Sequence, residues 1–323
     1  MEVLISFDSV KCPVLRGPTV AILMATYEGC QYLDDQMRSI FFQSFRNWKL
    51  WVSDDSARDE TWQRLTHWQS QLGPAMSIVR GGRRGVVANF MSLVCSNEIS
   101  ADYYAFSDQD DVWGCDKLER AIDWLNGVGQ GRPALYCSRT LLVDDSNRIE
   151  LGVSPPFSRE PGFANALVQS IAGGNTMVFN KAACELLREA GGDVDVVVHD
   201  WWVYLVVAGC GGAVHFDQRP SLRYRQHGNN LIGAGDGVKA SLGRIWHTHL
   251  KGVYRGWIDR NVRALERLRH RMPPENVRRL QSFLDGRGKG PLGRVAGIRA
   301  AGVYRQTWTG NASLYLSAFL GKL

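Results

Sequence analysis

Tyr103-Tyr-Ala-Phe-Ser-Asp-Gln-Asp-Asp-Val-Trp113 sets a short apolar run directly against four polar residues, three of them acidic. Such a run, bounded by a charged cluster, predicts a buried strand that delivers carboxylates at its carboxyl end. Asp108 and Asp110 are two apart, so an extended segment points both side chains the same way. Crowded carboxylates repel one another, and a bound cation is the common remedy. All-oxygen ligands suit a hard ion, Mg2+ or Mn2+, completed by water and phosphate oxygens. Such an ion on a diphosphate neutralises the charge that builds on a leaving group.

Three rival readings bear on the same cluster. A calcium loop starting at Asp108 finds Glu119 at its twelfth place, but Val112 and Trp113 stand where a ligand and a glycine are required. Asp-x-Asp-x-Val after an apolar strand also resembles the nucleophile loop of haloacid-dehalogenase-type phosphatases, with Asp108 as nucleophile. That family carries the loop on its first strand, whereas here about a hundred residues precede it. The third alternative is a solvated turn before a helix at Asp116.

Working outward, strands over 20–25, 48–53, 76–79 and 103–107 alternate with helices over 31–45, 61–72, 85–95 and 116–125. This alternation predicts an α/β fold with a parallel sheet covered on both faces. The second half is mixed, with strands over 134–138, 141–143, 148–151, 175–179, 213–216 and 222–224, a turn over 144–147, and helices over 181–190 and 200–208. From about residue 239 the chain reads as helix, with Trp246, Leu250, Val253, Trp257, Val262, Leu265 and Leu268 as an apolar stripe. An α/β domain over 15–235 followed by a basic helical region over 236–323 is expected.

The 323 residues carry a net charge of +6, unevenly placed. The part from Ser241 onward carries 16 Lys and Arg against 4 Asp and Glu, leaving about −6 on the first 240 residues. A basic tail suits an anionic neighbour such as a membrane surface or a diphosphate-bearing substrate. The plainer alternative is a helical appendage on the catalytic domain or on another subunit of a homo-oligomer. Nucleic acid is not expected as a partner, since no recognised module accompanies the tail. Seven irregularly spaced cysteines without C-x-x-C indicate neither a zinc site nor a disulfide framework and fit a reducing cytoplasm. Residues 1–11 lack a secretory pattern, and the best apolar run, 194–214, is broken by Asp195, His199 and Asp200. Membrane contact, if any, is expected to be peripheral.

Ligands of open α/β sheets bind beyond the carboxyl ends of the strands. Three strand ends here are polar: Thr26-Tyr27-Glu28-Gly29, Asp54-Asp55-Ser56, and Asp108-Gln109-Asp110-Asp111. Further along, Asp200 opens an apolar helix, where its position alone suits an N-cap. Trp201 and Trp202 suit a stacking surface or a core. Gly173-Gly174-Asn175 suits a close backbone approach or a plain turn. Arg83 and Arg84 among glycines meet phosphate or water.

Seven blocks in order carry a resemblance over about 19–235: Ile22-Leu-Met-Ala-Thr-Tyr27 with Gln36 and Ser39-Ile40; Ser53-Asp-Asp-Ser-Ala-Arg-Asp59; Gly85 with Asn89-Phe90; Phe106 to Trp113 with Asp116-Lys-Leu118; Gly174-Asn-Thr-Met177; His199-Asp-Trp-Trp202; and Tyr224-Arg-Gln-His-Gly-Asn-Asn230. The chain resembles family 2 glycosyltransferases of the GT-A fold, and in its last two blocks bacterial rhamnosyltransferases of surface polysaccharide synthesis. Many relatives carry glycine at Ser56 and asparagine at Glu28.

The resemblance implies a Rossmann-like mixed sheet flanked by helices. It implies a nucleoside diphosphate sugar, dTDP-rhamnose, as donor and an oligosaccharide or lipid-linked saccharide as acceptor. Thr26, Tyr27 and Asp55 would hold base and ribose, with Glu28, Asp54, Asn89, Ser107, Asp108 and Gln109 completing the nucleotide site. Asp108 and Asp110 would bind the metal and diphosphate, with His227 reaching either. Asp200 would be the general base, and Gly174, Asn175, Trp201 and Trp202 would meet the acceptor. The place of action implied is the cytoplasm, at the inner face of the cell membrane.

Overall fold

The computed structural model describes residues 17–129, 131–227 and 253–323. The expected helix start near 239, Trp246 and Leu250 of the stripe, Lys251, Gly228 to Asn230 of the last block, Cys12 and the 235/236 boundary lie outside these residues.

The strands are β1 (Val20–Thr26), β2 (Trp48–Asp54), β3 (Met76–Arg80), β4 (Tyr103–Ser107), β5 (Val112–Trp113), β6 (Ala134–Ser138), β7 (Leu141–Val143), β8 (Glu150–Val153), β9 (Val178–Asn180), β10 (Ala213–Asp217) and β11 (Leu222–Arg225). The helices are α1 (Cys30–Phe41), α2 (Glu60–Leu72), α3 (Val86–Val94), α4 (Lys117–Asn126), α5 (Phe163–Ala166), α6 (Lys181–Ala190) and α7 (His199–Gly209). After the gap come α8 (Val253–Leu265), α9 (Pro274–Arg287), α10 (Pro291–Ala301) and α11 (Trp308–Phe319).

Seven strands form one sheet in the order β10-β6-β9-β4-β1-β2-β3, and β5-β11-β7-β8 form a second. In the large sheet β4, β1, β2 and β3 run parallel, while β9 is antiparallel to both β4 and β6. Strand β1 shows why the sheet is covered on both sides. Ala21 and Leu23 join one apolar cluster while Val20, Ile22 and Met24 join the other, the period-two alternation of a strand buried on both faces. Helices α3, α6 and α7 pack on the first face, and Ile258, Leu265, Leu280, Phe283, Ile298 and Leu314 of the C-terminal helices extend the same cluster.

Two expected strands shift. The segment 175–179 begins as a 3-10 turn (Gly174–Thr176), because the Asn175 side chain turns inward and donates to Asp111 Oδ2 at 2.6 Å, and pairing starts only at Val178. The strand expected over 148–151 lies at Glu150–Val153, since Asp144 Oδ1 accepts from the Arg148 and Ile149 amides at 2.8 Å and lengthens the turn. The six described cysteines are all free thiols.

Candidate active site

Parallel register places the carboxyl ends of β1, β2 and β4 side by side: Thr26 pairs with Asp54, and Met24 with Ser107. Asp54 is 1% exposed and ties these ends together. Its Oδ1 accepts from Thr26 Oγ1 at 2.8 Å and from Ser56 Oγ at 2.6 Å. Asp54 therefore supports the nucleotide loops from beneath and has no face on the cavity above. Ser107 is likewise fully buried, its Oγ 2.7 Å from the Gln36 side-chain amide. Both were expected to touch the nucleotide; the sheet packs them behind the residues that can.

Those residues line a cavity of about 2080 Å³ that includes Thr26, Tyr27, Glu28, Asp55, Asn89 and Gln109. Gln109 clamps the first loop, accepting from the Tyr27 amide at 2.9 Å and donating to the Tyr27 carbonyl at 3.0 Å. A Cβ at Gly29 would fall 2.0 Å from that same side chain, so the clamp requires glycine there. Glu28 has φ 49° and uses Oε1 to accept from the Ala57 and Arg58 amides at 2.9 and 3.2 Å. Those two bonds and the Arg58 guanidinium hold its carboxyl below the usual range. Asp55 Oδ1 accepts from the Arg83 amide at 3.0 Å, and a Cβ at Gly81 would meet that oxygen at 2.0 Å. Arg83 also lines the cavity.

Asp108, Asp110, Asp200 and His227 all line the same cavity. Burial, reinforced by the charges of Asp110 and Asp200, pushes the Asp108 carboxyl up to about 7. His227 Nε2 lies 2.9 Å from Asp110 Oδ2, and its ring stacks on Tyr32 at 4.8 Å. Among the described residues no three His, Cys, Asp or Glu side chains are grouped so as to hold an ion by themselves. Two carboxylates beside a histidine, crowded and desolvated, fit a hard cation that takes its remaining ligands from water and diphosphate.

Beneath the carboxylates lies a buried lysine that no local sequence pattern marks as part of the site. Lys117 is fully buried at the start of α4, its Nζ 3.3 Å from the Trp113 ring centroid. Burial pushes its ammonium down, while the charges of Asp111 and Asp108 push it back up. On balance burial wins and holds the ammonium well below its usual range, so Lys117 packs beneath the acidic loop with its charged form disfavoured. The signal for it is its place in the Asp116-Lys-Leu118 block of the resemblance.

Asp200 sits in the first turn of α7, whose N-cap is Val198, so the N-cap alternative does not hold. Its carboxyl accepts from the Trp201 and Gly174 amides, yet burial outweighs these bonds and pushes it up to about 6. Gly174, Asn175 and Trp201 line the cavity near it. Trp202 does not: it is 0% exposed in the core, because α7 buries all residues from Trp201 to Gly209. An acceptor platform at Trp202 is therefore corrected to a core role. Trp201, with Nε1 donating to the Ala166 carbonyl at 2.7 Å, keeps one face on the cavity.

Known proteins resemble this arrangement. The dTDP-rhamnosyl transferase RfbG of Shigella flexneri is 27% identical over 232 residues, covering 69% of this chain and 78% of that protein. The UDP-Glc:alpha-D-GlcNAc-diphosphoundecaprenol beta-1,3-glucosyltransferase WfgD of Escherichia coli is 27% identical over 107 residues, 33% of this chain and 40% of that protein. The fold matches S. aureus TarS in complex with UDP-GlcNAc at a TM-score of 0.51 and 12% identity, over 94% of this chain and 90% of that one. It also matches GalNAc-T7 with UDP, GalNAc and Mn2+ at a TM-score of 0.50 and 10% identity, over 73% of this chain and 49% of that one. The fold is GT-A. The sequence profile of glycosyl transferase family 2 matches residues 21–183, half of the chain, and the chain belongs to that family.

Proposed function

We propose that this glycosyltransferase moves a sugar, L-rhamnose from dTDP-rhamnose, onto a saccharide acceptor in surface polysaccharide synthesis, with inversion at the anomeric carbon. The observation that carries this reading is the placement of Asp200 in one cavity with the Asp108–Asp110 pair. An acceptor hydroxyl is a poor nucleophile until a base removes its proton during attack, a contribution of roughly 10²- to 10⁴-fold. Asp200, with a carboxyl pushed up to about 6, is ionised at neutral pH yet basic enough to take that proton. A single displacement by the activated hydroxyl inverts the centre and needs only this base and a stabilised leaving group.

Asp108 and Asp110 would hold Mg2+ or Mn2+, which offsets the charge appearing on the departing diphosphate. The presence of Mn2+ together with UDP and GalNAc in the GalNAc-T7 structure supports this reading. The first loop, fixed by Gln109, presents Thr26 and Tyr27 to the nucleotide together with Asp55 and Asn89. The likeness to RfbG supports dTDP-rhamnose as donor. WfgD, whose acceptor is lipid-linked, supports an acceptor of that class, which would place the enzyme at the inner face of the membrane. Family membership displaces the phosphohydrolase alternative.

The test is a panel of dTDP-rhamnose, UDP-glucose and GDP-mannose, each with Mn2+ or Mg2+ and a saccharide acceptor, followed by nucleoside diphosphate release. Release of dTDP alone is expected. Release of UDP or GDP in preference overturns the donor, and no release with any sugar, together with unchanged sugar binding in Asp200→Asn, favours a non-catalytic sugar-binding module.

A further inference from the structure

Helix α11 turns an apolar stripe outward. Trp308 is 83% exposed, and Ala312, Tyr315, Leu316 and Phe319 follow at helical spacing on the same exposed side. Leu292, at the start of α10, adds a further side chain that is 79% exposed. A surface helix ordinarily shows its polar face to water, and exposed apolar patches of this kind mark an interaction surface.

Charge decides what lies against it. From Gly286 to Leu323 the chain carries six Lys and Arg and no Asp or Glu. Arg287 faces Asp259, Arg294 donates to the Lys289, Ala318 and Phe319 carbonyls and Arg305 stacks on Tyr254, while Lys289 and Arg299 are exposed. A second copy docking face to face would bring these cations together with no acid to meet them. An anionic surface meets both features, the apolar stripe entering the acyl boundary while Lys and Arg face the headgroups. Exposed Trp and Tyr are the residues that favour such an interface. No described helix is long and apolar enough to cross a membrane, so the contact lies along the surface.

The basic tail as a whole is a weaker basis for such contact than its composition suggested. Arg260, Arg267, Arg269 and Arg287 lie 2.6 to 2.9 Å from Asp195, Asp193, Glu266 and Asp259, so these cations already face carboxylates of the protein. We infer that the exposed stripe of α11, not these four arginines, is the docking surface, and that its partner is an anionic lipid bilayer. The cavity holding Asp200 is also lined by Ala312, Ser313, Leu316 and Leu320, of which Ala312 and Leu316 belong to the stripe itself, so docking there brings part of the lining of the site to the lipid.

The full chain is tested by co-flotation with vesicles of phosphatidylcholine and phosphatidylglycerol against vesicles of phosphatidylcholine alone. Trp308 and Phe319 do not line the cavity, so Trp308→Ser/Phe319→Ser leaves the reaction chemistry in place. This double variant is expected to lower binding to the anionic vesicles by about tenfold or more, and Trp308→Leu/Phe319→Leu to retain it. Arg299→Glu, at an exposed position of α10, is expected to weaken binding only to the anionic vesicles. Nucleoside diphosphate release with a water-soluble acceptor, measured alongside, separates failure of docking from failure of the transferase reading. Wild-type protein that does not float, or serine variants that float as well as wild type, overturn the inference. A dimer in sedimentation that the serine pair dissociates, without vesicle binding, overturns it in favour of self-association.

Discussion

The Glu28 amide donates to Ser56 Oγ at 2.8 Å, joining the loop after β1 to the loop after β2. These are the two positions at which the chain departs from the pattern its sequence blocks otherwise resemble. The departures therefore form one contact. Ser56 Oγ also donates to Asp54, and the Glu28 carboxylate accepts from the Ala57 and Arg58 amides, so the pair bridges both loops twice.

Ser56→Gly removes a buried hydroxyl bonded on both sides and frees the backbone. It is expected to cost about 1–2 kcal/mol in urea denaturation and to raise the KM for the donor. Glu28→Asn keeps a residue that tolerates φ 49° but shortens the strut to the second loop. Ser56→Gly strands the Glu28 amide and Asp54, and Glu28→Asn strands the Ala57 and Arg58 amides. The double variant is expected to lose less than the two singles combined, because either change alone already loosens the shared pair of loops. Strict additivity in the urea midpoints would show that the loops are not coupled here.

Asp108 and Asp110 are expected to be separable from the base by their metal response. Asp108→Asn or Asp110→Asn should reduce turnover by about 10³-fold or more, a loss of several kcal/mol of leaving-group stabilisation. Saturating Mn2+ should not restore it. Because burial and neighbouring charge raise Asp108 to about 7, protons and cation compete for the same oxygens. Apparent cation affinity should fall as pH drops below about 7, and chelator-treated protein should be inactive. Full turnover after chelation would remove the cation from the scheme.

Asp200→Asn is expected to lower kcat by about 10²- to 10⁴-fold while leaving nucleotide binding, read by thermal shift, intact. The acid limb of kcat/KM should fall through about 6, where Asp200 takes up its proton. Stability carries the opposite sign. The folded state resists ionising this carboxyl, so its contribution is most favourable below about pH 4 and is lost as pH rises through about 6. The Asn variant should therefore melt higher than wild type at neutral pH and alike in acid. An acid limb that persists in the Asn variant would assign that ionisation elsewhere.

Much of this architecture was legible in the residues because local signals and packing agree. The run 103–107 is a strand in the structure with the same bounds, since a short apolar segment closed by carboxylates leaves few alternatives. The acidic loop was found for the same reason. Periodicity could not separate residues on the cavity from residues beneath it. Asp54 and Asp55 are adjacent in sequence, yet only Asp55 faces the cavity, because strand alternation sends neighbouring side chains to opposite sides. Trp201 and Trp202 also divide, on α7, where successive residues are rotated by about 100° around the helix axis. Lys117 and His199 were missed as buried groups because a charged or polar residue at a helix start reads as solvated until the third dimension covers it.

His199 also sets the tightest constraint near the base. Its ring is 7% exposed, stacked 4.0 Å from Phe90 and edge-on to Phe106 at 5.1 Å, and burial pushes it down to about 3, so it is neutral throughout the working range. A Cβ at Gly174 would stand 2.3 Å from His199 Nε2 and 3.1 Å from Cδ2. The two phenyl rings leave the imidazole nowhere to swing, so the Gly174 backbone must give way, and its amide is one of those that hold Asp200. Gly174→Ala is therefore expected to destabilise the fold by about 1–3 kcal/mol and to lower kcat more than it raises the donor KM. In Gly174→Ala/His199→Ala the obstruction is gone, and kcat should recover in part even though the deleted ring leaves a cavity. A Gly174→Ala enzyme with wild-type melting and kcat would mean that the imidazole does not press on this backbone, and that Asp200 is positioned by Trp201 alone.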